Sequence, residues 1–356
     1  MDRALLDRVD KQAWFHKYPR GWPVLLFVLA SLGTIVSVMA LERADEQRRE
    51  LELDRNMTEI ASGIQRRAAE NVALLRAAAA LFETQESVSS GQFADFAAGL
   101  QTDQQSHGGV GMGWARLVRT PDLASFETAT REGEQADYQV FPRPGQDVSV
   151  SVPIVYLVPQ TANNRSVVGF DMYSEAVRRR AIDRSIALDS PVASGKLDLM
   201  QGRRQGSGVG FNIYMPVYVR KAGRKVVKGF VYSPFYASEF LSSAAGLYRD
   251  RDVDIAIFDG APTSANLLAV RHGPGTADIT MSRKIMVANR AWTLIVSDKK
   301  SSVLTSLSIL TILFGIIAAL LIMAIGWLIT KRAAEDREVI EWLQRHSAVR
   351  DSLTRE

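Results

Sequence analysis

Two long apolar stretches near the ends of this 356-residue chain limit what it can fold into. Residues 24–41 and 303–330 contain no charged side chain, and each is long enough to cross a hydrocarbon core of about 30 Å as an α-helix. The chain is therefore predicted to carry two transmembrane helices, which bracket a more polar segment spanning residues 42–302.

The distribution of basic residues predicts the orientation of these helices. Five Lys or Arg residues precede the first stretch, and Lys331 and Arg332 directly follow the second. Since basic residues stay on the cytoplasmic side, the segments 1–23 and 331–356 are predicted to be cytoplasmic and residues 42–302 extracytoplasmic. A cleaved signal peptide is the competing interpretation of the first stretch, although its apolar run exceeds the usual length of about 7 to 15 residues.

Composition narrows the class of protein. Apolar residues make up 47% and charged residues 23%, which is typical of a folded domain and not of a disordered chain. An exported domain with no cysteine must be stabilised by its core alone, which favours the periplasm and thus a multi-pass protein of a bacterial inner membrane. The net charge of +4 is explained by the cytoplasmic flanks, and no nucleic-acid partner is expected.

The segment between the apolar stretches begins with helical periodicity and continues with β-like runs. Apolar residues at three- and four-residue spacings predict one helix over 42–85, a stalk, and a shorter helix over 91–100. Further helices are predicted at 173–188 and 235–245, between strands. This order predicts an α+β fold. The predicted strands are 110–118, 148–158, 166–171, 210–219, 226–233, 252–258, 279–287 and 292–297.

Five short motifs, in order, resemble a CHASE domain. They are GVGMGWARLV at 109–118, VPIVYLVP at 152–159, VGFDMYS at 168–174, MPVY at 215–218 and KGFVY at 228–232. CHASE domains are extracytoplasmic input modules of sensor kinases, nucleotide cyclases and cyclic-dinucleotide enzymes. The resemblance covers about residues 75–297 and implies a stalk helix followed by two PAS-like lobes, at about 90–297. It also implies a small-molecule pocket in the membrane-distal lobe.

The resemblance can be carried to individual pocket positions. An acidic residue that holds the ligand in cytokinin-sensing plant members corresponds to Arg178, seven residues after Asp171, and this opposite charge argues against a cytokinin. Ser194 stands for a small hydroxyl residue and Met200 for a pocket leucine. Tyr214 stands for a threonine, which implies a smaller or differently shaped pocket.

Aromatic and polar side chains in the same segments complete the candidate ligand site. Arg178 indicates a ligand with a carboxylate or phosphate, because a guanidinium binds such groups bidentately. The alternatives are that residues 178–180 are a solvated helix face and that the aromatic residues belong to the core. The candidate ligand-binding residues are Trp114, Tyr138, Tyr156, Phe170, Asp171, Arg178, Ser194, Met200 and Tyr214.

No catalytic or metal-binding motif is found. The four histidines lack metal-ligand spacing, and the glycine-rich segment 202–210 lacks the Lys-Ser/Thr of a P-loop. Asp252 and Asp254 alternate with apolar residues as the outward face of a strand. No catalytic residue, metal or cofactor is therefore predicted, and an extracytoplasmic enzyme would need a nucleophile and base that the sequence does not reveal.

The C-terminal end suggests what the module controls. Residues 331–356 contain no Pro or Gly and are predicted to form a linker helix continuing from the membrane. Residues 350–356 resemble the linker before the phosphoacceptor helix of HWE-type histidine kinases and, more weakly, the opening of a GGDEF domain. An output domain is expected to follow.

These features lead to one function and two alternatives. The chain is predicted to be the small-ligand sensor of a two-component histidine kinase, a homodimer joined through its stalk and membrane helices and embedded in membrane lipid. The alternatives are an input module of a diguanylate cyclase or phosphodiesterase, and a non-enzymatic membrane interaction protein.

Overall fold

The structure is a computed structural model, and it describes residues 21–100, 109–133, 135–145, 147–199, 208–245, 253–273, 276–300 and 305–353. The described residues fall into two compact units. One unit contains the chain up to Glu50 and from Ser302 onward, and the other is Leu51–Ser301.

Helices form both ends of the described chain and punctuate its middle. Short 3-10 turns precede two of them, at Thr120–Asp122 and Met172–Ser174. The α-helices are α1 Gly21–Thr84, α2 Ser90–Leu100, α3 Leu123–Gly133, α4 Ala162–Arg165, α5 Ala176–Leu188, α6 Ala237–Ala244 and α7 Ser306–Leu353.

The strands form two larger antiparallel sheets and one small one. The first sheet has the order β4-β1-β8-β7-β5, with β6 also paired to β7, the second has the order β10-β9-β12-β11, and β2 pairs with β3. The strands are β1 Met112–Arg116, β2 Val118–Arg119, β3 Val150–Ser151, β4 Ile154–Val158, β5 Val192–Ala193, β6 Leu197–Asp198, β7 Val209–Lys221, β8 Arg224–Tyr236, β9 Val253–Phe258, β10 Leu267–Arg271, β11 Thr276–Val287 and β12 Arg290–Lys300.

The first unit contains the two apolar helical segments. Both helices are long and apolar enough to cross a membrane, judged by length and composition alone. A Cβ atom on Gly315 would lie 2.3 Å from the Thr34 side chain, so glycine allows α1 and α7 to approach closely here. Where the apolar segments meet the polar part of the chain, the backbone N–H of Thr305 donates to the Glu42 carboxylate at 3.1 Å.

The first sheet of the second unit is buried on both faces. Alternate residues of β7, such as Phe211 and Ile213, join the core that contains Leu75 and Phe82 of α1. Tyr214, the next residue along the strand, points to the opposite face and belongs to a different core, formed with α5. Strand alternation therefore gives this sheet a stalk face and an α5 face.

The second sheet packs with the stalk part of α1. The guanidinium of Arg283 on β11 donates to Asp54 at 2.7 Å and to Thr58 at 2.8 Å. Trp292 of β12 is fully buried in the same core as Leu53. Both sheets thus share α1 as a packing partner.

The two sheets are joined through the turn between β11 and β12. The N–H of Ala193 on β5 donates to the carbonyl of Ala288 at 2.8 Å, and the Asn289 side chain donates to Pro191 O at 2.9 Å. Arg290 forms a bidentate pair with Asp259, whose carboxylate also accepts from the Lys196 N–H. Strand β5 is therefore bonded directly to the turn that leads into β12, the strand that precedes α7 in the chain.

Most predicted elements are confirmed, and the differences have local causes. The predicted helix at 91–100 is Ser90–Leu100, and α1 includes the helical segment predicted after the first apolar stretch. Helices α3 and α4 and strands β5, β6 and β10 were not predicted. The strand predicted at 166–171 is wrong, because the segment is a turn with isolated bridges. Gly169 adopts φ +88° there, a conformation that interrupts a strand, and its backbone packs closely against the carbonyl of Gln139.

A β-bulge directs one lysine toward the end of the stalk. On β8, Gly229 lies opposite Val217 and Val227 lies opposite Tyr218, which leaves Lys228 unpaired. Its Nζ donates to three backbone carbonyls at the end of α1. These acceptors are Phe82 O at 2.8 Å, Gln85 O at 2.7 Å and Glu86 O at 3.0 Å. Since the last carbonyls of a helix lack helical partners, Lys228 caps α1 from a neighbouring strand.

Removing this cap is expected to destabilise the protein. Lys228→Met should lower the free energy of unfolding by about 2 kcal/mol, because a charged donor to three carbonyls is lost. Lys221→Met, at the exposed end of the neighbouring strand, should change it by less than about 0.5 kcal/mol. Urea titration of the full chain in detergent micelles, followed by tryptophan fluorescence, measures both; equal effects would contradict the capping role.

Candidate functional site

Polar side chains are buried together on the α5 face of the first sheet. Tyr214 on β7 lies opposite Tyr232 on β8, with ring centroids 6.1 Å apart. Asn212, two residues earlier on the same face, donates its side-chain N–H to the Tyr214 hydroxyl at 2.8 Å. Its backbone N–H donates to Ser194 Oγ at 2.9 Å. Together with Arg178 of α5, these residues form what we call the polar cluster.

Arg178 brings a positive charge into this buried region. Arg178 is only 7% exposed, and its guanidinium lies over the Phe170 ring, 5.3 Å from the centroid. The Glu175 carboxylate, which caps α5 by accepting from the N–H groups of Val177 and Arg178, contacts the guanidinium at 3.2 Å. Arg178 is therefore a buried cation paired with a partly exposed carboxylate.

Two polar atoms of the cluster lack hydrogen-bond partners within the described part of the chain. These are the Tyr232 hydroxyl and the Asn212 side-chain carbonyl, on residues that are 1% and 3% exposed. Leaving such a buried group unpaired costs about 1 to 3 kcal/mol. The cluster therefore holds unused hydrogen-bonding capacity next to a buried guanidinium.

A glycine on the neighbouring strand makes room for Tyr232. Gly113 on β1 lies opposite Tyr232, and a Cβ atom at this position would be 2.3 Å from the tyrosine ring. Any larger residue would displace the ring. Gly113, the third glycine of the GVGMGWARLV motif, thus helps to shape the polar cluster.

Burial perturbs the acid–base properties of both tyrosines. Desolvation raises the pKa of Tyr214 to about 12, although the positive charge of Arg178 opposes this rise. Desolvation also raises the pKa of Tyr232 well above its ordinary value, and the neighbouring Tyr214 adds to the rise. Both hydroxyls therefore remain protonated at neutral pH and can donate hydrogen bonds.

The structure brings together only part of the predicted ligand site. Phe170, Arg178, Ser194 and Tyr214 meet at the polar cluster, and Arg178 does not lie on a solvated helix face. Asp171 is next to this group, but its carboxylate is hydrogen-bonded to the backbone. Its Oδ1 accepts from the N–H of Val152 at 2.7 Å and from the N–H of Tyr173 at 3.0 Å. Met200 lies outside the described residues.

The other predicted aromatic residues lie at two neighbouring cavities. Trp114 is on the stalk face of the first sheet and lines a cavity of about 370 Å³ with Tyr156. Tyr156 and Tyr138 line a second cavity of about 450 Å³. The Tyr138 hydroxyl donates to the backbone carbonyl of Ile154 on the edge strand β4, at 3.1 Å.

Sequence reasoning missed three members of the site. Asn212 carried a signal, because it is two residues before Tyr214 in a predicted strand and so shares its face. Tyr232 lies in the KGFVY motif, but its position opposite Tyr214 depends on the strand register. Glu175 had only a weak signal, as an acidic residue at the start of a predicted helix.

Comparison with known proteins identifies the family. The model of the CHASE domain matches residues 86–269, more than half of the chain, within the 75–297 span of the sequence resemblance. The chain belongs to the CHASE domain family, whose members are extracellular sensor domains. No curated protein matches the sequence.

Two solved structures resemble the chain at low sequence identity. The extracellular ligand binding receptor from Desulfohalobium retbaense DSM5692 is 13% identical, with a TM-score of 0.46 over 70% of this chain and 40% of that one. The ligand binding domain of the Pseudomonas aeruginosa PAO1 amino acid chemoreceptor PctC, in complex with GABA, is 12% identical. Its TM-score is 0.39, over 67% of this chain and 95% of that one. This chain thus spans less than half of the first receptor.

The buried tyrosines predict a loss of stability at high pH. The pKa of Tyr214 rises from about 10 in the unfolded chain to about 12 in the folded one, so its contribution is complete below pH 10 and is lost as the pH rises toward 12. Tyr214→Phe should therefore reduce the slope of unfolding free energy against pH in this range. Urea titrations of the full chain at several pH values measure the slope; an unchanged slope would contradict the assignment.

Proposed function

We propose that this chain is the ligand-binding input module of a membrane signalling protein. Its two apolar helices cross the membrane, residues 1–23 and 331–356 are cytoplasmic, and the unit Leu51–Ser301 is periplasmic. Membership of the CHASE family, the length of the apolar helices and the flanking basic residues support this arrangement.

Each sheet, with the helices that cover it, is proposed to be one PAS-like lobe. The first lobe contains the polar cluster and is proposed to be the membrane-distal ligand-binding lobe. The second lobe contains β12, which precedes α7 and hence the second membrane segment. This division is supported by the two separate antiparallel sheets.

The observation that carries the proposal is the incomplete pairing of the polar cluster. Arg178 can bind a carboxylate or phosphate, and the Tyr232 hydroxyl and Asn212 carbonyl can bond a second polar group of the same ligand. Because the Tyr214 ring fills part of the α5 face, the ligand is small or displaces that ring on binding. A small anionic molecule with a second polar group fits these donors and acceptors.

Roles for the predicted residues follow from their positions. Phe170, Ser194 and Tyr214 are proposed to contact the ligand with Arg178, and Asp171 to hold the backbone that shapes the site. Met200 remains a predicted ligand contact. Trp114, Tyr138 and Tyr156 line the neighbouring cavities and are not assigned to this ligand.

The signal is proposed to pass from the polar cluster to the membrane through β5. Ser194 bonds the cluster strand β7, and the adjoining Ala193 bonds Ala288 in the turn that starts β12. A shift of β5 upon ligand binding would therefore act on β12. A two-component histidine kinase is the proposed output, on the resemblance of residues 350–356 to the kinase linker; a cyclic-dinucleotide enzyme is the alternative.

The module is proposed to act as a homodimer joined along the stalk. Leu51 of α1 is 73% exposed, which leaves an apolar side chain accessible to a second stalk. Since the chain has no cysteine, Leu51→Cys creates a unique thiol. Oxidation of this variant in membranes is expected to give a disulfide-linked dimer on a denaturing gel. Glu52→Cys, on the adjacent face of the helix, is the control and should form less of this dimer. A Leu51→Cys variant that remains monomeric, or that forms no more dimer than Glu52→Cys, would contradict this interface.

The ligand site is tested by thermal stabilisation of the full chain in detergent. A panel of amino acids, dicarboxylates and phosphorylated metabolites is screened by tryptophan fluorescence during heating. At least one anionic compound is expected to raise the unfolding temperature, because it binds the folded state alone. Arg178→Gln should weaken that compound by about tenfold or more, whereas Arg180→Gln, exposed on the same helix, should leave its affinity unchanged.

The same samples test the route of the signal. On addition of the stabilising compound, amide hydrogen exchange is expected to slow in β5 and at the Ala288–Arg290 turn as well as in the cluster. A panel without any stabilising anion, or a binder whose affinity is equal in both arginine variants, would refute the assigned site. Protection restricted to the cluster would refute the route alone.

A further inference from the structure

The cavity next to the end of the stalk lies apart from the polar cluster. It is bounded by Phe82 of α1, by the segment that follows this helix, and by Trp114 and Tyr156 of the first sheet. Trp114 lies opposite Val231 on the neighbouring strand, and both belong to the core that contains the stalk. Tyr232, the next residue after Val231, belongs to the other core, so Trp114 and Tyr232 are on opposite faces of the sheet. We call this space of about 370 Å³ the stalk-end cavity.

Aromatic side chains supply much of its wall. Trp114 stacks on Phe82 with ring centroids 4.0 Å apart and an interplanar angle of 12°. Phe126 of α3 lines the cavity from another side, together with Tyr156. Sites for small ligands have volumes of about 300 to 1,000 Å³ and combine apolar walls with a few polar groups, and the stalk-end cavity has both features.

Two cations line this cavity, and they differ in the hydrogen-bond acceptors that they already have. Lys228 directs its Nζ donors to the carbonyls at the end of α1. Desolvation and the nearby charge of Arg116 lower its pKa. Arg116 itself lies over the Phe126 ring, 5.9 Å from the centroid, and no carboxylate of the described residues forms an ion pair with it. Arg116 is therefore the cation that can bind an incoming anion.

We propose that the stalk-end cavity binds a small aromatic carboxylate. The carboxylate pairs with the Arg116 guanidinium, which matches its planar, bidentate geometry, and the ring packs between Trp114 and Phe126. The charge of Lys228 offsets that of the Glu86 carboxylate, which also lines the cavity, and its donors need not leave the helix end. This site goes beyond the proposed ligand site and does not depend on it.

Its position gives such a ligand a direct influence on the stalk. The cavity wall includes the last turn of α1 and the lysine that caps it. A molecule bound here contacts both the stalk and the first sheet, so it stabilises their association. Ligand binding at this cavity is thus coupled to the helix that enters the membrane segment.

Ligand-observed NMR on the full chain in detergent micelles tests this site. The probes are benzoate, phenylacetate and 3-phenylpropionate, with phenylacetamide as the uncharged match for phenylacetate. At least one carboxylate is expected to bind saturably, with phenylacetamide weaker than phenylacetate by about tenfold. Failure of all three carboxylates to bind, or equal binding of the amide, would overturn the proposal.

Variants place the binding in the cavity. Arg116→Gln should weaken the bound carboxylate by about tenfold, whereas Arg119→Gln, an exposed residue paired with Asp122 and outside the cavity, should have no effect. Arg178→Gln should also have no effect, so the outcome is separate from that of the polar cluster. Loss of binding in Arg178→Gln with full binding in Arg116→Gln would assign the carboxylate to the polar cluster and overturn this proposal.

Discussion

Burial of the first sheet on both faces is the constraint on which the rest of the molecule depends. Because side chains alternate along a strand, β7 must supply apolar residues to the stalk and a different set to α5. The stalk face receives Phe211 and Ile213, whereas the α5 face receives Asn212 and Tyr214. Polar groups placed on a buried face need partners, and those of the α5 face are only partly satisfied by the described protein. The same alternation that builds the core thus separates a polar, ligand-competent face from an apolar one that holds the stalk.

The first sheet is also the point at which local changes can reach distant elements. Strand β8 carries Tyr232 in the polar cluster and, four residues earlier, the bulged Lys228 at the end of α1. Strand β5 connects the cluster to the Ala288 turn and hence to β12. The first contact is made by the Lys228 side chain and the second by the backbone N–H of Ala193, and each is a direct hydrogen bond through which a displacement of the strand can act on its partner. The CHASE domain therefore has two physical connections from its polar cluster, one to the element that follows the first apolar segment and one to the element that precedes the second.

Sequence patterns predicted the elements better than the contacts between them. The stalk stripe through Leu53, Met57 and Ile60 has helical spacing, and all three residues are buried as that spacing requires. Arg178 was ambiguous, because a helix bearing three consecutive arginines can bury any one of them, and its rotation is set by packing against the sheet. Register and bulges, which place Tyr232 opposite Tyr214 and turn Lys228 to the stalk, depend on tertiary pairing and leave no local signal. Trp114, Tyr138 and Tyr156 were grouped with Arg178 because motif order does not distinguish the two faces of a sheet.

The central claim is that the polar cluster beneath α5 binds an anionic ligand, and an experimental map of the liganded full chain tests it most directly. A crystallographic or cryo-EM map of protein bound to its stabilising compound is predicted to show an anionic group about 3 Å from the Arg178 guanidinium. A second polar atom of the ligand is predicted to bond the Tyr232 hydroxyl or the Asn212 carbonyl. A map with the compound bound elsewhere, and with Arg178 contacting only Glu175, would contradict the account.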